Sequence, residues 1–204
     1  FTIDPMVMYW NRQLFSGASI SQAPRYFDEL PIIASKVTIR DERGTVKTSA
    51  VALGSWDNVD HAKAVFLSIL HGLGNPVVIR GEDGYQSTLK TEGNTGDSTD
   101  SALRFLTQFA DPVKPVYSWN RSMKDSRDAF LDGTLAVYFA PASEIFSIRS
   151  ANPNLNFDVA EVPRIRGGTP GAYAEMFALS IPNGSRNPEG ALVAARLLTD
   201  PSLQ

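Results

Sequence analysis

Apolar residues recur along this chain in two rhythms, and the switches between them mark its elements. Ile3 to Trp10 (I-D-P-M-V-M-Y-W) reads as a strand, with Pro5 pushing it toward an edge or crossover position. Asn11 to Phe15 makes a short helical turn that stops near Gly17. Ala50 to Gly54 is a brief apolar strand leading into Ser55-Trp56-Asp57-Asn58, where Asp57 or Asn58 caps a helix. That helix carries Val59, Ala62, Val65, Phe66, Ile69 and Leu70 at helical spacing and ends at Gly72. Gly74 to Gly96 is rich in turn residues around Val77-Val78-Ile79 and reads as a short strand within a long excursion. Asp97 to Asp100 then cap a helix with Ala102, Phe105, Leu106, Phe109 and Ala110 on one face.

The centre of the pattern is Trp119 to Ala140. Ala129, Phe130 and Leu131 close an amphipathic helix, and Gly133 supplies the left-handed stop. Leu135 to Ala140 is apolar without alternation, as in a strand covered on both faces. Pro141 to Glu144 is a polar turn that opens the next helix; in open α/β sheets ligands bind beyond the carboxyl ends of strands, so this turn is a candidate site. Met176 to Ile181 reads as a buried strand. Asn187 caps a last helix with Pro188 at its first position and Glu189 complementing the dipole. Strands interleaved with helices give an α/β class.

Composition narrows the function classes. The 204 residues suffice for a real core, and a hydrophobic share of 43% with 20% charged residues is ordinary for a globular chain. A formal charge of -3 with no basic stripe argues against nucleic acid as a partner. Cysteine is absent, so no thiolate metal site, disulfide or cysteine nucleophile enters. His61 and His71 fall on one predicted helix, on different faces and accompanied by no H-E-x-x-H pattern or carboxylate partner, so neither reads as catalytic or metal-binding. No G-x-S-x-G, P-loop or strand-associated G-x-G-x-x-G occurs. Asp28 and Glu29 sit side by side in a first helical turn and read as dipole complement. No cofactor is expected, and no metal.

Several motifs, in order, carry a resemblance. F-x-x-G-x-x-A-V at Phe130 to Val137, with Trp119-Asn120 upstream, is similar to a signature of the extracellular solute-binding proteins of ABC transporters. The class is family 1, the maltose- and oligosaccharide-binding-like one. Pro5 to Phe15, Pro24 to Leu30, Ala151 to Pro163 and Met176 to Leu198 match further stretches of the same pattern. Tyr26 stands where the family has a capping Thr, which weakens that helix start. The resemblance implies a periplasmic-binding-protein-like fold of type II, a mixed sheet flanked by helices, with residues 1–162 mainly the C-terminal-type lobe and 163–204 the hinge return and a strand-helix segment of the other lobe. It implies an extracytoplasmic protein, periplasmic or anchored on the cell surface, that hands its solute to an ABC permease. The chain reads as the middle of a longer pattern, so that half of a cleft would lie outside it.

Aromatic residues cluster at predicted strand ends and helix starts: Trp10, Trp56, Tyr117, Trp119 and Tyr173. Such rings offer large apolar area and few rotamers to freeze, with a polar edge on Trp and Tyr. Sugars present C–H faces and a hydroxyl rim, so these rings with Asp57 and Glu144 as polar anchors form the expected ligand set, converging at one rim of the lobe. A carbohydrate is the favoured solute; a peptide or polyamine also suits aromatic walls. In the resemblance Trp10 takes the place of a ligand-stacking aromatic. The alternative is an α/β enzyme acting on carbohydrate through paired carboxylates, which would need two carboxyl groups roughly 5 to 10 Å apart across a cleft.

Overall fold

The computed structural model describes residues 2–89 and 94–200. Its first strand, β1 (Thr2–Asn11), lies between β6 (Leu135–Pro141) and β7 (Phe157–Glu161) and runs antiparallel to both. On the far side of β6, β3 (Val46–Val51) runs parallel to it, and the two-residue β2 (Ile39–Arg40) closes that edge. β8 (Ala174–Phe177) pairs with the amino end of β1 alone. A separate hairpin joins β4 (Val78–Gly81) and β5 (Gly84–Ser87), within the excursion expected from the turn residues.

The sheet is buried on both faces because helices cover each. Met8 and Phe139, direct cross-strand partners, face α1 (Arg12–Gly17), α2 (Leu30–Val37), α3 (Ala62–Gly72) and the end of α4 (Asn94–Thr107). Their neighbours Tyr9 and Tyr138 face the other way, onto α5 (Ser126–Leu131) and α6 (Glu144–Ala151) through Phe130 and Ile148. All seven β6 residues are buried, as its unbroken apolar run requires. Gly133 takes φ +74° between α5 and β6, a conformation that a Cβ would strain. Pro31 lies in the first turn of α2, where its missing N–H has no intrahelical acceptor to lose.

Three expectations are corrected. α4 starts at Asn94, so Asp97 to Asp100 lie inside the helix instead of capping it. α3 starts at Ala62 after His61, whose φ of +56° is left-handed; Asp57 and Asn58 belong to the preceding turns. The strand near residue 176 is shorter and open: β8 ends at Phe177, with Met176 70% and Phe177 55% exposed, because no described element packs over it. The final helix, α7 (Pro188–Leu198), likewise has no buried residue. No described helix is long and apolar enough to cross a membrane.

Phe130 stacks on Tyr138 at 5.6 Å between ring centroids and meets Tyr9 at 6.3 Å, with no exposure of its own. Phe130→Ala empties the centre of this face and is expected to lower stability by about 3–5 kcal/mol in urea denaturation, with an unchanged m-value.

Candidate functional site

The strand directions create one rim. β6 ends there and the antiparallel β1 begins near it; β3 runs parallel to β6 and ends at Val51 opposite Val137, so the residues after it head toward the same edge. Beyond β3 the chain turns through Gly54, which has φ +86°; a Cβ there would lie 2.7 Å from the Leu106 carbonyl oxygen and 2.8 Å from the Ala110 Cβ. Glycine therefore lets this turn pass close under the end of α4, and the next residues emerge as Trp56 and Asp57. Trp56 is 60% exposed and lines a cleft of about 490 Å³ with Phe66, Leu103, Leu106, Asn120 and Arg121. Arg121 Nε lies 3.7 Å from the Asp57 carboxylate, and both side chains are open to solvent.

Polar lacing fixes that turn against the segment before α5. The Asn58 amide donates to the carbonyls of Asn120 and Met123, both at 2.9 Å, and its Oδ1 accepts the Trp119 indole N–H at 3.1 Å. Asp60 accepts from the Ser126 hydroxyl and the Arg127 amide, each at 2.8 Å. Segments more than sixty residues apart are thereby held in one register.

Glu144, beyond the end of β6, is the hub of the rim's charges. Its carboxylate lies 2.8 Å from His61 Nε2 and 3.4 Å from Arg127 Nε, and it accepts the Tyr138 hydroxyl at 3.0 Å. Burial, then the Glu144 charge, pushes the Tyr138 hydroxyl far up, so the phenol stays protonated and donates. The Tyr9 hydroxyl is raised for the same two reasons and donates to the Pro141 carbonyl at 2.8 Å. The hydrogen bond to Glu144 raises the His61 pKa above its ordinary 6.5 against the opposing effect of burial, with Asp60 and Glu175 adding to the rise. The expectation that no carboxylate accompanies the histidines is thus corrected for His61.

Of the remaining expected site residues, Tyr173 reaches the rim by its backbone, its carbonyl accepting the Met6 amide at 2.9 Å, and Tyr117 touches it through Asn120, whereas Trp10 and Trp119 present no ring there. Trp119 is fully buried, its indole N–H spent on Asn58, and it presents no face to a solute. The Tyr117 ring is covered by the Arg40 guanidinium at 5.2 Å from its centroid, while its hydroxyl accepts from the Asn120 amide at 2.7 Å. Trp10 pairs with Val137 and Asp158, four residues along β1 from the Met6–Pro141 pair at the rim. At about 3.4 Å per residue this is roughly 14 Å away. Tyr173 lines a separate cleft of about 250 Å³ with Leu67, His71 and Asn75. Trp56 and Asp57 follow β3 and Glu144 follows the parallel β6, whereas the five rings do not form one wall. Arg121 and Arg127 are residues of the rim that the sequence pattern did not single out, and Asn120 entered it only as part of the Trp119-Asn120 motif; the signal for the two arginines was their position just before and within α5.

This geometry is that of a known class. The chain superposes on solved structures of type II periplasmic-binding proteins, which share its curled mixed sheet and flanking helices. One is an ABC transporter solute-binding protein from Thermotoga lettingae TMO bound with α-D-tagatose (TM-score 0.65, 22% identity, 96% of this chain and 48% of that one). Another is the GacH receptor of Streptomyces glaucescens GLA.O, described unliganded and with acarbose (0.63, 20%, 95% and 46%). A third is UgpB of Mycobacterium tuberculosis in complex with glycerophosphocholine (0.70, 16%, 99% and 47%). The chain spans about half the length of such structures. Residues 1–204 match the bacterial extracellular solute-binding protein family, and the chain belongs to it. No curated protein sequence matches the chain. Members of this family are extracellular proteins that bind solutes.

The His61–Glu144 pair makes a pH prediction. Because His61 is raised in the folded state, its contribution is fully present below 6.5 and fades as pH rises through the higher folded value. The stability gap between the unsubstituted chain and Glu144→Gln is therefore expected to narrow as pH rises above 6.5 in thermal unfolding. A gap that is flat or widens over that range contradicts the pairing.

Proposed function

We propose that this chain is the substrate-binding component of an ABC importer and that it takes a carbohydrate at the rim of Trp56, Asp57, Arg121 and Glu144. The observation that carries the reading is Trp56, 60% exposed beyond the end of β3 and bordered by an open carboxylate–guanidinium pair over a cleft. A flat ring suits the C–H face of a sugar, and the Asp57 and Arg121 heads suit its hydroxyls as acceptor and donor. Glu144, tied to three neighbours, is a preorganised acceptor at the same edge. The solved neighbours that carry tagatose and acarbose support a carbohydrate.

The two-lobe arrangement belongs to this reading. Residues 1–162 form the lobe that holds the rim, and 163–204 return through the hinge to the other lobe. In support, β8 pairs only with the amino end of β1, beside the rim, and α7 has no buried residue among those described. Closure of the lobes on a solute would select the bound form through contacts made on both sides. The protein would work in the periplasm or anchored at the cell surface and deliver its solute to a membrane permease.

An enzyme with paired carboxylates is not favoured. Asp57 is largely solvated beside Arg121, and Glu144 is engaged by His61, Tyr138 and Arg127, so neither stands as a desolvated acid over a cleft.

Calorimetric titration with sugars, oligosaccharides, dipeptides and polyamines tests the reading. A saccharide is expected to bind, and Trp56→Ala to weaken it by about tenfold or more, equivalent to about 1.4 kcal/mol. Trp119→Phe is expected to leave affinity unchanged while removing the buried bond to Asn58, at a stability cost of about 1–3 kcal/mol. Binding of no saccharide, or equal affinity in the Trp56→Ala protein, would sink the assignment.

A further inference from the structure

We propose that the groove beside Trp10 is a second binding site, for a short neutral saccharide, separate from the rim. It encloses about 640 Å³, within the roughly 300–1,000 Å³ of small-molecule sites. One wall is β7 from Asp158 to Glu161, and the other is the loop of residues 21–26. Trp10 lines the groove between them. Its ring is half-buried and leans on Phe15 at 5.0 Å between centroids, which fixes its orientation while leaving part of it open.

The loop wall is tied to the strand side, so the groove is formed in advance of any ligand. The Phe27 amide donates to the Arg164 carbonyl at 3.0 Å, and the Arg164 amide donates to the Arg25 carbonyl at 2.9 Å. Tyr26 is clamped from outside, with the Arg166 guanidinium 3.8 Å over its ring centroid. Preorganisation of this kind lowers the ordering cost of binding.

Chemistry chooses the ligand class. Asp158 and Glu161 are opposed by Arg25 and Arg164, and Glu161 pairs with Arg164 at 2.6 Å, so the groove offers an ion no net attraction. β7 ends the sheet, but its Val159 amide already donates to Asp158 Oδ1 at 2.8 Å, which opposes addition of a peptide strand. Asp158 is the direct cross-strand partner of Trp10, so acceptor and ring stand on one face of the sheet. An apolar ring face, a carboxylate beside it and the polar side chains of Ser21 and Gln22 match a pyranose, whose C–H face stacks while its hydroxyls donate and accept. The site lies roughly 14 Å along β1 from the rim and does not depend on the rim's assignment.

The test uses the chain carrying Trp56→Ala, which removes the rim's ring. Mannobiose and maltotriose are titrated into it by calorimetry, with diglycine as the charged comparison. One equivalent of saccharide is expected to bind still, and adding Asp158→Ala is expected to weaken that binding at least tenfold. Asp158 is exposed, so the variant keeps the fold; thermal unfolding checks this. Trp10→Phe, which retains an apolar ring and its packing on Phe15, is expected to weaken binding less than Asp158→Ala does. Absence of saccharide binding to the Trp56→Ala chain, binding indifferent to Asp158→Ala, or preference for diglycine overturns the proposal. The rim reading is tested apart from it, by Trp56→Ala in a chain that already carries Asp158→Ala.

Discussion

The antiparallel seating of β1 against β6 is the constraint on which this structure depends. Five consecutive pairs, from Met6–Pro141 to Trp10–Val137, fix which side chains share a face and which end of the sheet each reaches. A slip of one residue would turn Tyr9 and Met8 onto each other's faces and break both cores at once. With that register set, the parallel pairing of β3 with β6 brings the residues following both strands to the same edge. The rim is a consequence of strand direction before it is a matter of side-chain chemistry.

Strand direction alone leaves the loops of the rim loose, and buried polar groups remove that freedom. Asn58 satisfies two carbonyls and an indole N–H, which leaves little reason for the turn after Trp56 to open. Asp60 does the same for the start of α5, and Glu144 gathers His61, Tyr138 and Arg127 around one carboxylate. Each of these hubs joins elements distant in sequence. Together they let Trp56 remain exposed on a backbone that is itself held, so the ring's area is not offset by loop ordering when something binds.

Local patterns in the sequence were legible because local physics wrote them. The unbroken apolar run of β6 and the left-handed Gly133 both follow from their immediate neighbours, and the structure agrees with each. What did not follow was anything decided by register or by distant partners. Trp10 and Trp119 read alike as aromatic residues beside polar ones, yet one lines a groove far from the rim and the other is sealed against Asn58. His61 reads as unaccompanied because Glu144 lies 83 residues on. Arg121 and Arg127 are ordinary basic residues until the fold sets them beside Asp57 and Glu144. The openness of β8 does not follow from its sequence, because apolar residues signal burial without saying what does the burying.

The same distinction bears on why exposed and buried aromatic residues should not be weighed equally as binding residues. A ring such as Trp119 has already exchanged its water for protein contacts, and it has no further apolar area to give to a ligand. Tyr117 has committed one face to Arg40, a cation that a solute would have to displace. Trp56 retains most of its surface, and Trp10 retains a part of it with an acceptor alongside. On the proposed reading, the free energy available for holding a small molecule therefore lies with those two rings.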